Sequence, residues 1–258
     1  MKKKLKHLSI LLVLFFTISC TAYKDVPYFQ NVKVNSTEKI TNYKPVTIQT
    51  QDLLGISVVN LNPEAAIIFN SNLNRTNGNN LDLNPANPII GYLVDQEGNI
   101  QFPTVGAIKV AGLTTVEVQD RILQKIGPTM KQPSVTVRIM NFKISILGDV
   151  ARPGAYPITN ERITVTEAIG LAGDLNITAL RKTILLVREV DGERKYIPID
   201  LTSNALFQSP YYYLRNNDII IVQPGKTKYA QVSRGYQTST ILLSLLSIGA
   251  IIFAALQK

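Results

Sequence analysis

The chain has 258 residues, a formal net charge of +9 and 45% hydrophobic residues, which is sufficient for one large or two small folded domains. It contains one cysteine and one histidine, Cys20 and His7. An internal disulfide is therefore excluded, and so is a zinc site built on cysteine and histidine. Catalysis by Ser-His-Asp or Cys-His groups is excluded once His7 is removed with the N-terminal segment. We expect no catalytic residue, no metal and no cofactor.

The first twenty residues have the pattern of a bacterial lipoprotein signal. Four lysines precede an apolar run, 8–18, that is too short to span a membrane, and Ser19 precedes Cys20. The pattern predicts a signal peptide over 1–19, lipid attachment at Cys20 and a polar tether over 20–44. The alternative is an ordinary secretory signal with a chance cysteine. Loss of the signal lysines leaves a net charge near +5. The sequence shows no basic arm with interleaved aromatic residues, so no nucleic-acid partner is expected.

Residues 45–140 are predicted to form a first domain. Two strands joined by a turn at 50–52 open it, followed by an asparagine-rich surface loop over 70–88. A turn from Asp95 to Gly98 and a second turn near Gly106 then predict short paired strands. Beyond them, Thr114 and Glu117 have the spacing of a capping box at the start of an amphipathic helix.

A second unit, predicted over 141–224, repeats this order of elements. The pair Pro153-Gly154 predicts a type II turn in which the glycine supplies a positive φ. Another Thr-x-x-Glu capping box, at Thr164, begins a short helix, and Asp191-Gly192 predicts a hairpin. A small sheet wrapped on one helix describes an α+β domain.

The turn and capping residues of the two units resemble the motifs of the outer-membrane polysaccharide export lipoproteins, the Wza-like family. The first unit resembles the polysaccharide export domain at Gly98, Pro103, Gly106, Gly112 and Thr114. The second resembles a soluble-ligand-binding β-grasp domain at Gly148, Asp149, Pro153 and Gly154. The resemblance implies an α+β fold, with a small mixed-sheet export domain followed by a β-grasp-like domain.

The chain departs from the family pattern in three respects. Thr50-Gln51-Asp52 stands where the family usually has Pro-Gly-Asp, the asparagine-rich loop is an insertion, and only one β-grasp unit is visible. The resemblance implies a homo-oligomeric ring through which a capsular polysaccharide or exopolysaccharide passes. It also implies an inner-membrane chain-length regulator of tyrosine-kinase type as a partner. One β-grasp unit gives a shorter periplasmic body.

Residues 239–257 carry no charge and are predicted to form a transmembrane helix after a basic linker over 225–238. About 17 helical residues span roughly 25 Å, which suits a thin bilayer. In the resembled family such a helix from each subunit builds the exit pore; the candidate pore or helix-packing face is Thr240, Ser244, Ser247 and Ala254. A plain membrane anchor and a buried core helix are the alternatives.

The sequence thus predicts a lipid-anchored outer-membrane protein, with its main body in the periplasm, that exports polysaccharide and catalyses no reaction. A first alternative is a non-pore periplasmic lipoprotein that binds a glycan or a partner protein through its β-grasp domain. A second is a glycan hydrolase that uses paired carboxylates such as Asp95 and Asp149.

Overall fold

A computed structural model of the chain describes residues 25–70, 76–77, 80–81, 91–190, 192–232, 238, 241–249 and 252. The predicted signal peptide, Cys20 and most of the asparagine-rich stretch lie outside these residues. The described elements form two units, each with its own hydrophobic core.

The first unit is built around an antiparallel sheet with strand order β4-β1-β7. Its elements are β1 (Leu53–Val59), α1 (Pro63–Asn70), β2 (Thr76–Asn77), β3 (Asn80–Leu81), β4 (Tyr92–Leu93), β5 (Asn99–Phe102), β6 (Gly106–Lys109), α2 (Thr115–Ile126) and β7 (Ser134–Ile139). Apolar residues at every second position of β1 are fully buried, namely Leu54, Ile56 and Val58.

The strand pairs described in this unit are all antiparallel, so the prediction of a mixed sheet in the export domain is wrong. The reason lies in the connections. A short turn joins β5 to β6, and such turns produce antiparallel neighbours. The crossover through α2 returns the chain as β7, which also runs antiparallel to β1.

Helix α2 covers one side of this sheet, as its sequence predicts. The Thr114 hydroxyl accepts a hydrogen bond from the Glu117 amide, and the Glu117 carboxylate accepts one from the Thr114 amide at 2.7 Å. The predicted capping box is confirmed. The buried residues Val118, Ile122 and Ile126 share one helix face, so the spacing of apolar residues also gives the correct packing face.

Helix α1 is absent from the prediction. Phe69 on this helix is buried and its ring stacks on Phe102 with centroids 5.5 Å apart. The Asn70 side chain ends the helix by pairing with both the amide and the carbonyl of Val58, at 2.8 and 2.7 Å. Tertiary packing against β1 and β5 therefore stabilises a helix whose short sequence gives only a weak local signal.

The second unit contains one mixed sheet with strand order β11-β10-β12-β8-β9. Its elements are β8 (Lys143–Gly148), β9 (Gly154–Pro157), α3 (Val165–Leu171), β10 (Ile184–Val190), β11 (Glu193–Ile199), a 3-10 helix (Asn204–Gln208), β12 (Ile219–Val222) and α4 (Lys226–Val232). The capping box at Thr164 is confirmed, and β10 pairs with β11 as the predicted hairpin. Together the two units confirm an α+β fold.

Strand β12 runs parallel to β8 and approaches it closely at Gly148. Gly148 has a φ of +95°, and a Cβ atom there would lie 1.9 Å from the Val222 carbonyl oxygen. Gly154 has no positive φ, because it pairs with Ile146 in the β8-β9 ladder. The predicted type II turn at Pro153-Gly154 is therefore wrong, and Gly148 is the glycine that the backbone requires.

Residues 25–44, predicted as a tether, run along the second unit in the described part of the segment. The Phe29 amide donates to the Leu201 carbonyl at 3.1 Å, and the Phe29 ring lies 4.5 Å from that of Phe207. The Asn42 amide group donates to two carbonyls of the 207–209 segment, at 2.8 and 2.7 Å. This segment therefore has specific contacts with the domain that follows it.

Residues 241–249 are helical, and their leucine and isoleucine side chains are exposed. Within the described residues, no helix has both the length and the apolar character needed to cross a membrane. The transmembrane helix predicted over 239–257 is therefore not supported.

Replacement of Gly148 by alanine tests the close approach of β8 and β12. We expect Gly148→Ala to lower the free energy of unfolding by about 3 kcal/mol, because the new Cβ overlaps the Val222 carbonyl and the positive φ disfavours alanine. Gly154→Ala is the matched control: a Cβ added there would meet no atom within 4 Å, so its effect should stay within about 0.5 kcal/mol. Urea unfolding followed by circular dichroism measures both, and equal effects would contradict the explanation.

Candidate functional site

The export-domain motif residues form a set of turns near the first unit's N-terminal segment. Gly98, with a φ of +80°, closes the turn from Asp95, and its carbonyl accepts the amides of Val110 and Ala111 at 2.9 and 3.0 Å. Gly112, also at positive φ, donates its amide to the Ile48 carbonyl at 2.8 Å. The motif glycines therefore hold the 45–52 segment against the β5-β6 hairpin.

The other motif residues of this unit have local roles. Pro103 and Gly106 lie at the turn between β5 and β6, where Gly106 has a φ of +80°. Thr114 caps α2. None of these residues presents a reactive group, and each shapes the backbone instead.

Asp52 lies where the first unit meets the second. Its side chain is buried and accepts the Gln49 amide on one oxygen at 2.8 Å. Its other oxygen accepts the side-chain amide of Asn216, which belongs to the second unit, at 2.7 Å. The Asn216 side-chain oxygen in turn accepts the Lys143 amide at 3.0 Å. Asp52 is thus the centre of a buried polar contact between the two units.

Asn141, in the connection between the units, reinforces this contact. Its side-chain oxygen accepts the Leu53 amide at 2.9 Å, and its side-chain nitrogen donates to the Gln51 carbonyl at 3.0 Å. The next residue back, Met140, donates its amide to the Leu53 carbonyl at 2.8 Å. The start of β1 is therefore bonded to the connection itself, and no flexible spacer separates the units.

Burial raises the pKa of the Asp52 carboxyl group, and the hydrogen bonds from Gln49 and Asn216 offset only part of this effect. A group with a raised folded-state pKa binds its proton more tightly in the folded protein. Its contribution to stability is therefore greatest below the ordinary value of 3.8 and declines as pH rises through the folded-state pKa.

Replacement of Asp52 tests the contact between the units. We expect Asp52→Ala to lower the free energy of unfolding by about 2 kcal/mol at pH 7, because it leaves the buried amides of Gln49 and Asn216 unpaired. The loss should be larger at pH 3 than at pH 7, since the wild-type contribution is greater there. The control is Asp120→Ala, an exposed position on α2. Urea unfolding at the two pH values gives the comparison, and a loss that grows with pH would refute this assignment.

Asp149, from the second motif, contacts the segment that follows β12 at the end of the second unit. Its buried carboxylate accepts the side-chain amide of Asn176 at 2.8 Å and the Thr178 hydroxyl at 2.6 Å. Lys228, on α4, forms an ion pair with the same carboxylate. The Gly225 amide also donates to the Thr178 carbonyl at 2.7 Å. Asp149 therefore fixes the beginning of α4 to the sheet.

Burial alone would raise the pKa of Asp149, but the hydrogen bonds from Lys228, Thr178 and Asn176 outweigh it and lower the pKa. A lowered pKa means that the ionised carboxylate stabilises the folded protein. This contribution is present above the ordinary value of 3.8 and is lost as pH falls through the folded-state pKa. The pH dependence has the opposite sign to that of Asp52.

Replacement of Lys228 tests its ion pair with Asp149. We expect Lys228→Met to lower the free energy of unfolding by about 1 kcal/mol at pH 7, a value reduced for the partial exposure of the lysine. The difference from wild type should shrink as pH falls below 3.8, where Asp149 takes up a proton. Lys226→Met, an exposed position on the same helix, changes the charge equally and should have little effect. Equal effects of the two variants in urea unfolding would overturn the role of Lys228.

Sequence patterns alone do not reveal a buried ion pair, Arg188 with Asp218. The guanidinium donates to both carboxylate oxygens at 2.9 and 2.6 Å and to the Tyr213 carbonyl at 3.0 Å. The ring of Tyr211 lies 5.6 Å from its central carbon. Asp218 and the Tyr213 carbonyl therefore hold the 211–218 segment onto β10.

The carboxylates considered for hydrolysis have separate structural roles. Asp95 accepts the Asn99 amide at 2.7 Å in a turn of the first unit, whereas Asp149 is paired with Lys228 in the second. Among the described residues, no group of three or more histidine, cysteine, aspartate or glutamate side chains is arranged to hold a metal ion.

Two residues of the candidate pore face are described. Ser244 and Ser247 are helical and exposed, and their hydroxyls donate at 2.7 Å to carbonyls three residues earlier, those of Ile241 and Ser244. Thr240 and Ala254 lie outside the described residues, as does the lipid-attachment candidate Cys20. The pore face and the lipid attachment remain predictions.

Both units match known sequence families. Residues 41–140 match the family described as polysaccharide biosynthesis/export protein, and residues 142–222 match the SLBB domain. The two matches follow each other directly along the chain and together cover most of the described residues.

Curated proteins with similar sequences are named for polysaccharide export or production. EPS I polysaccharide export outer membrane protein EpsA of Ralstonia solanacearum is 34% identical over 137 residues, 52% of this chain and 36% of that protein. The protein of the same name from Ralstonia nicotianae is 41% identical over 93 residues, 35% of this chain and 24% of its own. Exopolysaccharide production protein ExoF of Rhizobium meliloti is 33% identical over 88 residues, 33% and 21% of the two chains. The chain thus spans at most 36% of the length of these relatives.

Proposed function

We propose that the chain, which belongs to the polysaccharide biosynthesis/export family, is an outer-membrane protein that forms an oligomeric conduit for a capsular polysaccharide or exopolysaccharide. The observation that carries the proposal is the export domain joined directly to an SLBB domain. The names of the relatives, which refer to polysaccharide export and to the outer membrane, support the same assignment.

The site geometry supports a structural role in transport rather than catalysis. The motif residues form turns and caps, and the buried carboxylates of Asp52, Asp149 and Asp218 are each bonded to protein groups. In this proposal the protein transports its polymer without a chemical step. Contacts with the polymer are weak and repeated, because a tight site would stall its movement.

Attachment to the outer membrane is proposed through a lipid on Cys20, with the body in the periplasm. The contacts at the two ends of the folded body support attachment of both ends on the same side. The Asp25 carboxylate pairs with Lys182 at 2.7 Å and the Tyr28 hydroxyl donates to Asp174, while the chain exit at Gly225 bonds to Thr178. Because both chain ends meet the 174–182 segment, they leave the body from the same side.

The apolar side chains exposed on residues 241–249 support contact of the C-terminal segment with lipid or with neighbouring subunits. We propose that copies of the chain form a ring around the polymer path and that an inner-membrane chain-length regulator of tyrosine-kinase type supplies the polymer.

Surface polysaccharide in a strain that lacks the gene tests the function. We expect the full chain to restore surface polymer, because it supplies the missing conduit. Cys20→Ser should restore much less, since the lipid attachment is lost. A chain that ends at Thr238 should also restore less if the apolar segment helps to build the exit. Cell-surface polymer is measured with each variant at matched abundance in the membrane fraction.

Lys226→Met, which alters an exposed side chain outside the contacts described above, serves as the control and should restore export fully. Normal surface polymer in the strain without the gene would contradict the proposed function. Equal restoration by the full and truncated chains would refute only the role of the C-terminal segment.

A further inference from the structure

A cleft of about 890 Å³ lies between the two units, beside the segment that precedes β1. The first turn of α2 and the end of β7 form one wall, and the 159–162 segment of the second unit forms the other. Tyr43 lies at the cleft from the N-terminal segment. The cleft therefore exists only when the two units and this segment are held together.

Two arginines line the cleft from opposite units, Arg138 on β7 and Arg162 in the loop before α3. Both are exposed, and neither forms an ion pair with another described residue. The cross-strand neighbour of Arg138 is Gly55, which has no side chain to pair with it. The two guanidinium groups are thus available to an anion that enters the cleft.

Tyr43 holds one of these guanidinium groups in place. The central carbon of Arg162 lies 5.9 Å from the centre of the Tyr43 ring. The Tyr43 ring is itself packed edge-on against Tyr213, with centroids 5.3 Å apart. A cation held over an aromatic face loses less side-chain entropy when a ligand binds. Arg162 is therefore prepositioned without a carboxylate partner.

The remaining polar groups of the cleft suit hydroxyl-rich ligands. Thr115, Thr159 and Asn160 supply hydroxyl and amide groups that donate and accept hydrogen bonds. One carboxylate, Glu161, also lines the cleft, and it accepts the Thr115 hydroxyl across the two units at 3.4 Å. With two arginines and one glutamate, the cleft carries a net positive charge.

We infer that this cleft binds a carboxylate-bearing sugar residue of the transported polymer. Guanidinium groups bind carboxylates through two parallel hydrogen bonds, and the hydroxyl and amide groups match the hydroxyls of the sugar ring. The inference rests on the proposed function, which supplies a polysaccharide as the ligand, and it adds that the polymer is acidic. Because the cleft is open, binding is weak enough to allow release.

A hexamer of galacturonic acid is the probe, with maltohexaose as the neutral sugar and hexaglutamate as the acidic peptide. The full chain in mild detergent should bind the galacturonate hexamer with a dissociation constant on the order of 1 mM, and more weakly at higher salt. Maltohexaose and hexaglutamate should each bind at least about tenfold more weakly, because each lacks one of the two recognised features. Saturation-transfer NMR or calorimetry measures all three.

Variants locate the binding in the cleft. Arg138→Gln combined with Arg162→Gln should weaken galacturonate binding at least about tenfold. Lys125→Gln combined with Lys131→Gln removes the same charge from exposed positions elsewhere and should leave binding within about twofold. Tyr43→Leu should weaken binding by a smaller factor, since it removes only the support of Arg162. Circular dichroism verifies that each variant is folded.

The inference would be overturned if the galacturonate hexamer did not bind. It would also be overturned if the double substitution of Arg138 and Arg162 did not weaken the binding. Equal binding of maltohexaose or of hexaglutamate would overturn it as well. These results are separate from export itself: a chain that restores surface polymer but fails to bind galacturonate refutes the acidic-sugar site and leaves the proposed function standing. A chain that binds galacturonate but restores no surface polymer refutes the proposed function instead.

Discussion

The hydrogen bond between Asp52 and Asn216 joins the two units of this protein through buried groups. Buried polar groups strongly favour their native partners, because an unpaired carboxylate or amide in such a position costs free energy. Asp52 also accepts the Gln49 amide, and Asn216 accepts the Lys143 amide. These bonds fix the two side chains within their own units, so movement of one unit relative to the other would break the buried Asp52–Asn216 hydrogen bond. The relative position of the units, and the cleft between them, therefore depend on this interaction.

The two ends of the folded body both contact one segment of the second unit. The segment 174–182 receives Asp25 and Tyr28 from the N-terminal side and the chain at Gly225 from the C-terminal side. In the proposed function, this arrangement lets both chain ends face the same membrane.

Local signals predicted much of this fold. Capping boxes at Thr114 and Thr164 and the alternation in β1 depend on neighbouring residues, so the sequence alone was sufficient for them. Helix α1 was missed because its stability comes from the packing of Phe69 on Phe102. The type II turn predicted at Pro153-Gly154 is wrong because Gly154 pairs with Ile146 in the β8-β9 ladder, and only the tertiary structure shows that Gly148 is the glycine that meets β12. Asn216 lies 164 residues from Asp52 and Lys228 lies 79 residues from Asp149, and no local pattern indicates these two partners.

A conduit for a polysaccharide requires that several copies of this chain assemble around the polymer path. The most direct test is the mass of the full chain extracted from outer membranes in mild detergent, measured by light scattering with correction for bound detergent. We predict one species that contains several copies of the chain, whose mass is 28.6 kDa before removal of the predicted signal peptide. A stable monomer under these conditions, from membranes of cells that display the polymer, would contradict assembly into a conduit.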